Sequence, residues 1–225
     1  MHPPGAAGTR RSQQGTTRAG SRNCGAARLT CGLLLAAVLL DGCQGAGPEA
    51  VGTTGPQAFA NEPFPVRLVN PGRFSPAFRP TRVANTTGLE PGAILIDTAA
   101  RQLYLVESDR SAMRYGIAVG AAGNAWKGDA TVGRKAEWPA WYPTDEMKSI
   151  APGIPPRIAP GADNPLGARA LYLYQGGRDT LYRIHGTTEP WTIGTQASSG
   201  CIRMFNEDVI ALYDKVRVGA PVIVR

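Results

Sequence analysis

From residue 92 onward, short apolar runs alternate with turn residues, and the runs have strand length. AILID (93–97) and QLYLVES (102–108) are apolar and β-rich, and the four residues TAAR between them predict a hairpin. MRYGIAVG (113–120) predicts a third strand and ATVGRKAEW (130–138) a fourth. ALYLYQ (170–175) and TLYRIHG (180–186) flank Gly176-Gly177, a pair suited to a tight hairpin turn. One segment carries helical spacing instead. In NEDVIALYDKV (206–216), Val209, Leu212, Tyr213 and Val216 fall on one face. Asn206 is the expected N-cap, Glu207 and Asp208 suit the first turn, and Lys215 suits the last. Gly219 closes this helix and PVIVR follows as a final strand. The pattern predicts a mostly β fold with one C-terminal helix.

Two stretches lack periodicity. Residues 139–167 are rich in proline and glycine, and an irregular loop of that length inside a domain is usually a lid or a binding loop. Residues 43–91 carry prolines every few positions, which predicts a tether or an extended arm. Phe59, Phe64, Phe74 and Phe78 exceed what a free linker needs, so part of this arm is expected to pack on the domain that begins at residue 92 and runs to 225.

The first 42 residues read differently. A polar, basic stretch precedes GLLLAAVLL (32–40). Nine apolar residues fall short of the roughly 20 that cross a bilayer as a helix, and basic-then-apolar order is that of a secretory signal. Residues 1–42 are therefore expected to be a signal peptide. Leu40-Asp41-Gly42-Cys43 resembles a bacterial lipobox, with Asp41 in place of the usual small residue, and marks Cys43 as a lipidation site. The expectation is an exported protein of the periplasm or cell envelope, held at the membrane by an N-terminal lipid.

Composition adds limits. The formal net charge is +7, but residues 1–42 hold five arginines against one acid, so little of the excess lies in the domain. No basic cluster with interleaved aromatics occurs, which argues against a nucleic-acid partner. Beyond residue 42 the chain has one histidine, His185, and two cysteines, Cys43 and Cys201. One imidazole with so few thiols is short of the three or four ligands of a metal site, so no metal and no cofactor are expected.

His185 and Cys201 are 16 positions apart in IHGTTEPWTIGTQASSGCIRM. A thiolate is a strong nucleophile, and an imidazole is the usual group that takes its proton. His185 stands at the end of a predicted strand, where a rigid element aims its side chain. Gly200 allows a tight turn beside Cys201, and successive backbone N–H groups there suit a developing oxyanion. No acid lies near enough in sequence to be assigned as the residue that orients the imidazole, and a backbone carbonyl is the alternative.

His-Gly, a short polar and glycine-rich stretch, then Ser-x-Gly-Cys-x-Arg resembles the signature of the L,D-transpeptidase catalytic domain family, bacterial enzymes that remodel the cell wall. IDTAARQLYLV, NPLGARALYL and the terminal helix and strand extend the resemblance over about residues 92–225. It implies a sandwich- or barrel-like β domain with long loops. It also implies Cys201 as nucleophile, His185 as base, and the N–H groups of Ser199, Gly200 and Cys201 as the oxyanion hole. Many members carry histidine where Ser199 stands and asparagine where Arg203 stands. Ser198, Gly186 and Arg203 are implied substrate contacts. Arg183, on the same strand face as His185, and Trp191, in the intervening loop, join them as candidates. The implied reaction forms a thioester with a peptidoglycan tetrapeptide stem, releases D-Ala and passes the acyl group to an amine of another stem. Water or a protein amine as acceptor is the alternative within the same chemistry. A non-catalytic wall-binding module is the alternative outside it.

Overall fold

The structure is a computed structural model and describes residues 49–50, 56–121, 126–198 and 200–225. The expected signal peptide, Cys43, Ser199 and the side chain of Ser198 lie outside what it describes.

Among the described residues, twelve strands and two α-helices follow in chain order: β1 (Glu49–Ala50), β2 (Thr81–Ala84), β3 (Ile94–Asp97), β4 (Gln102–Val106), β5 (Ser111–Gly116), β6 (Val119–Gly120), β7 (Gly128–Glu137), α1 (Asp145–Ile150), β8 (Arg169–Gln175), β9 (Arg178–His185), β10 (Gln196–Ser198), β11 (Ile202–Arg203), α2 (Asn206–Lys215) and β12 (Pro221–Val224). Ten strands form one sheet in the order β1-β2-β5-β4-β3-β12-β7-β8-β9-β11, and β10 pairs with β6 in a second. β3 and β4 form the expected hairpin, as do β8 and β9. The last strand, β12, sits at mid-sheet, parallel to β3 and antiparallel to β7.

The sheet curls around one core. Met113 and Tyr115 of β5 share a buried cluster with Ile184 of β9, Ile202 of β11 and Val209 and Leu212 of α2. A backbone bridge between Ala118 and Arg203 ties β11, at one edge, to the segment just after β5. The fold is thus mostly β and barrel-like, with α2 as the one long helix among the described residues.

The helix starts differently from expectation. Asn206 is its first residue rather than its cap, and Phe205 at the N-cap makes no side-chain capping bond. Asn206 is instead buried in a cross-link: its Oδ1 accepts from Ala168 N at 3.0 Å and its Nδ2 donates to Thr187 O at 2.8 Å. Two longer-range bonds outweigh one local cap, because both backbone groups would otherwise be buried without partners.

The arm packs on the domain through its phenylalanines. Phe59, Phe64 and Val66 lie against Trp138, Ala168 and Ile210, with the Phe64 and Trp138 rings edge to face at 5.2 Å. Phe74 meets Phe205 in the same way at 4.7 Å. Phe78 fills space that a side chain at Gly116 or Gly194 would occupy. β2, upstream of residue 92, pairs with β5 and so belongs to the sheet.

Candidate active site

β9 and β11 carry the site. They run parallel, with Ile202 opposite Ile184 and Arg203 opposite His185. His185 is the last residue of β9 and Cys201 immediately precedes β11, so the two are diagonal neighbours across adjacent strands. The same two guanidiniums, Arg183 and Arg203, act electrostatically on both groups.

His185 is buried, and its Nδ1 lies 2.6 Å from the carbonyl oxygen of Gly186. A carbonyl only accepts, so Nδ1 carries the proton and Nε2 is left as the basic nitrogen. Burial pushes the imidazole down to about 4, against the opposing pull of the Gly186 carbonyl. The residue holding the ring is therefore a backbone carbonyl.

Cys201 is partly exposed and carries a thiol. Burial raises its pKa above the ordinary thiol value, while the Arg183 backbone and the Arg183 and Arg203 charges pull the other way. Burial thus works against the charged form of both members of the pair. Sγ lies 3.9 Å from the Leu181 carbonyl oxygen. Gly200 has φ +134°, a conformation that favours glycine and turns the chain just before the thiol.

The two arginines are engaged. Arg183 donates from Nη1 and Nη2 to the two carboxylate oxygens of Asp179, at 2.7 and 2.9 Å, and lies over the Tyr172 ring at 4.2 Å. Asp179 also accepts from Leu181 N, where β9 bulges and Leu181 takes φ +64°. Arg183, expected as a substrate contact, therefore ties down the bulge whose carbonyl faces the thiol. Arg203 donates to Glu189 at 2.7 Å in a partly exposed pair. Trp191 is 68% exposed, in a short 3-10 turn next to Glu189. Tyr142 is also exposed, on the 139–167 loop.

Gly186 and Gly167 are packed where no larger residue fits. A Cβ on Gly186 would come 2.1 Å from Asn206 Oδ1, and one on Gly167, at φ +64°, would come 2.7 Å from the Gly186 carbonyl carbon. The end of the long loop thus presses on the segment that holds the histidine. Sequence reasoning missed Asn206, Asp179 and Glu189 as site-building residues. Asn206 read as a cap, and the acids gained meaning only once the bulge and the turn placed them beside arginines.

The sequence model of the L,D-transpeptidase catalytic domain matches residues 91–224, more than half of the chain. The protein belongs to the L,D-transpeptidase catalytic domain family. Among relatives of this L,D-transpeptidase domain, the probable L,D-transpeptidase ErfK/SrfK of Escherichia coli is 37% identical over 136 residues, covering 57% of this chain and 42% of that protein. The putative L,D-transpeptidase YqjB of Bacillus subtilis is 31% identical over 133 residues, covering 58% of this chain and 69% of that protein. The chain thus spans less than half the length of the E. coli relative. A solved structure from Brucella melitensis is 51% identical, with 69% of this chain and 99% of that one covered and a TM-score of 0.47. That protein is named a probable carnitine operon oxidoreductase, whereas the family model and the E. coli and B. subtilis relatives are named for transpeptidation.

Proposed function

We propose that the protein is an L,D-transpeptidase acting on peptidoglycan stem peptides through Cys201 and His185. The observation that carries this reading is the buried imidazole with Nδ1 fixed on the Gly186 carbonyl, on the strand beside the thiol. His185 Nε2 takes the Sγ proton as the thiol attacks the carbonyl between the L-centre and terminal D-Ala of a tetrapeptide stem. The S–C bond forms, the C–N bond breaks, and the imidazolium protonates the departing D-Ala amine. By their place in the family signature, the backbone N–H groups of Ser199, Gly200 and Cys201 are the proposed oxyanion donors. An amine of a second stem then attacks the thioester, which forms the crosslink and returns the thiol.

Arg203 is the better placed of the two arginines for a substrate carboxylate, since its partner Glu189 is half exposed and replaceable. Ser198, Gly186 and Trp191 complete the proposed contact set. The full chain is proposed to be exported to the periplasm or cell envelope, with Cys43 carrying a lipid. Fatty-acid labelling lost in Cys43→Ser tests that part.

Mass spectrometry of tetrapeptide stems incubated with the protein tests the reaction. Stem dimers with release of D-Ala support transpeptidation. Hydrolysed stems alone redirect the reading to an L,D-carboxypeptidase, and an acyl-enzyme persisting in Cys201→Ala refutes the mechanism.

A further inference from the structure

The 139–168 loop leaves the sheet at Trp138 and returns at Arg169. A backbone bond from Trp138 N to Ala168 O, 2.8 Å, closes its neck. Both side chains at that neck turn to one group from outside the matched family segment, the carboxylate of Glu62 on the arm. Trp138 Nε1 donates to Glu62 Oε2 at 2.6 Å, Arg169 Nη1 donates to the same oxygen at 2.9 Å, and Arg169 Nη2 donates to Oε1. The ion pair is buried on both sides. Arg169 holds the Glu62 carboxyl below the usual range, against the cost of its burial.

From the neck the path to the histidine is short. Arg169 O accepts from Gly186 N at 3.1 Å, and Ala170 lies opposite His185 in the β8–β9 register. Ala168 N is held by Asn206, which also holds Thr187 O. Gly167 presses on Gly186 and Thr187. Residues 167–169 therefore form the bed of His185-Gly186-Thr187, and Gly186 O fixes the ring. Trp138 sits at φ +40°, a conformation a tryptophan adopts only when its surroundings hold it. Those surroundings include Glu62 and the Phe64 ring from the arm, beside Ala168 and Ile210 of the domain.

We propose that Glu62 is a positioning residue for His185, and that the arm completes the active site by clamping the neck of the long loop. The inference rests on His185 serving as the base in the proposed reaction. Losing the carboxylate leaves the buried Arg169 charge without its bidentate partner, so the neck shifts and the bed under Gly186 shifts with it.

The test uses the full chain with Glu62→Gln and Trp138→Phe, which keeps an aromatic side chain but removes the Nε1 donor together with the second ring of the indole. Tetrapeptide turnover, melting temperature and amide hydrogen exchange are measured for each, with kinetics run well below the melting transition. Glu62→Gln is expected to lower kcat about tenfold with KM within about twofold, and to speed exchange at the Gly186 amide. Trp138→Phe is expected to move both in the same direction by less. Wild-type kcat and wild-type exchange at Gly186 in Glu62→Gln overturn the proposal, whatever the melting temperature does. If the wild-type chain turns over no stem peptide, the proposed function fails by itself. Exchange at Gly186 then still decides the clamp, faster supporting it and unchanged overturning it.

Discussion

His185 Nδ1 is held 2.6 Å from the carbonyl oxygen of Gly186, its own neighbour in the chain. The contact fixes the tautomer without an acidic third residue, and it leaves Nε2 as the unprotonated nitrogen that the proposed reaction uses as its base. Replacing His185 with Gln keeps a hydrogen-bonding side chain of similar reach but removes the base. Stem-peptide transfer should fall by about 10²–10⁴-fold, measured as kcat/KM, with Cys201 still present and still alkylated by a small thiol reagent.

The same burial makes His185 a source of acid lability. Its pKa is about 4 in the fold and near 6.5 in the unfolded chain. Above about pH 6.5 both states are neutral and the residue costs nothing. As pH falls from 6.5 toward 4 the unfolded chain takes up a proton that the folded one refuses, so stability is lost across that window. The loss is about 3 kcal/mol at the low end. Denaturant melts at pH 7 and pH 4 should show His185→Gln losing less stability over this range than the wild type. Equal losses would mean that the ring is not buried neutral.

Asp208 gives the opposite pH dependence. It is buried on α2, its Oδ2 has no hydrogen-bond partner among the described residues, and burial followed by the Glu207 charge raises its pKa well above the usual carboxylate value. The folded state therefore keeps a proton that the unfolded chain releases, and stability falls as pH rises above the ordinary carboxylate range. Asp208→Asn removes that dependence. It should raise the melting temperature at pH 8 by about 2–4 °C for each kcal/mol recovered, and do less at pH 4.

Gly167 tests how tightly the loop bears on the histidine segment. A methyl there meets Asn206 Oδ1 at 2.2 Å and the Gly186 backbone at 2.7 Å, with φ at +64°. Gly167→Ala should cost about 1–3 kcal/mol of stability by overpacking and lower transfer activity as well. Gly176→Ala, at φ +57° with nothing near its Cβ, is the control for conformational strain alone. A Gly167→Ala loss no greater than the control's would show that the loop does not press on Gly186.

Much of this was legible in the chain. The β3–β4 and β8–β9 hairpins and α2 follow from local periodicity and turn chemistry, which neighbouring residues settle among themselves. His185 and Cys201 stood out because so few groups can perform that chemistry. What escaped were long-range partners. Asn206 looked like a cap because a helix start usually satisfies itself locally, and nothing near it in sequence points to Ala168 or Thr187. The bulge at Leu181 hid inside an ordinary strand pattern, since two extra residues in a β-branched and aromatic run leave no mark on its hydropathy. Asp179, just outside the strand expected at 180–186, therefore gave no sign of being the partner of Arg183.

That pair sets opposite signs on the reactivity of Cys201. The Arg183 charge favours the thiolate and the Asp179 charge opposes it. Asp179→Asn removes the opposing charge yet keeps an oxygen that accepts from Leu181 N, so the bulge survives. Its Cys201 should ionise at lower pH and be alkylated faster at neutral pH than in the wild type. Arg183→Gln removes the favouring charge and should slow alkylation at the same pH. Each variant is read from the pH dependence of the second-order rate with iodoacetamide, where the midpoint reports the thiol. Movement of both midpoints in one direction would mean that the bulge geometry, and not the two charges, governs the thiol.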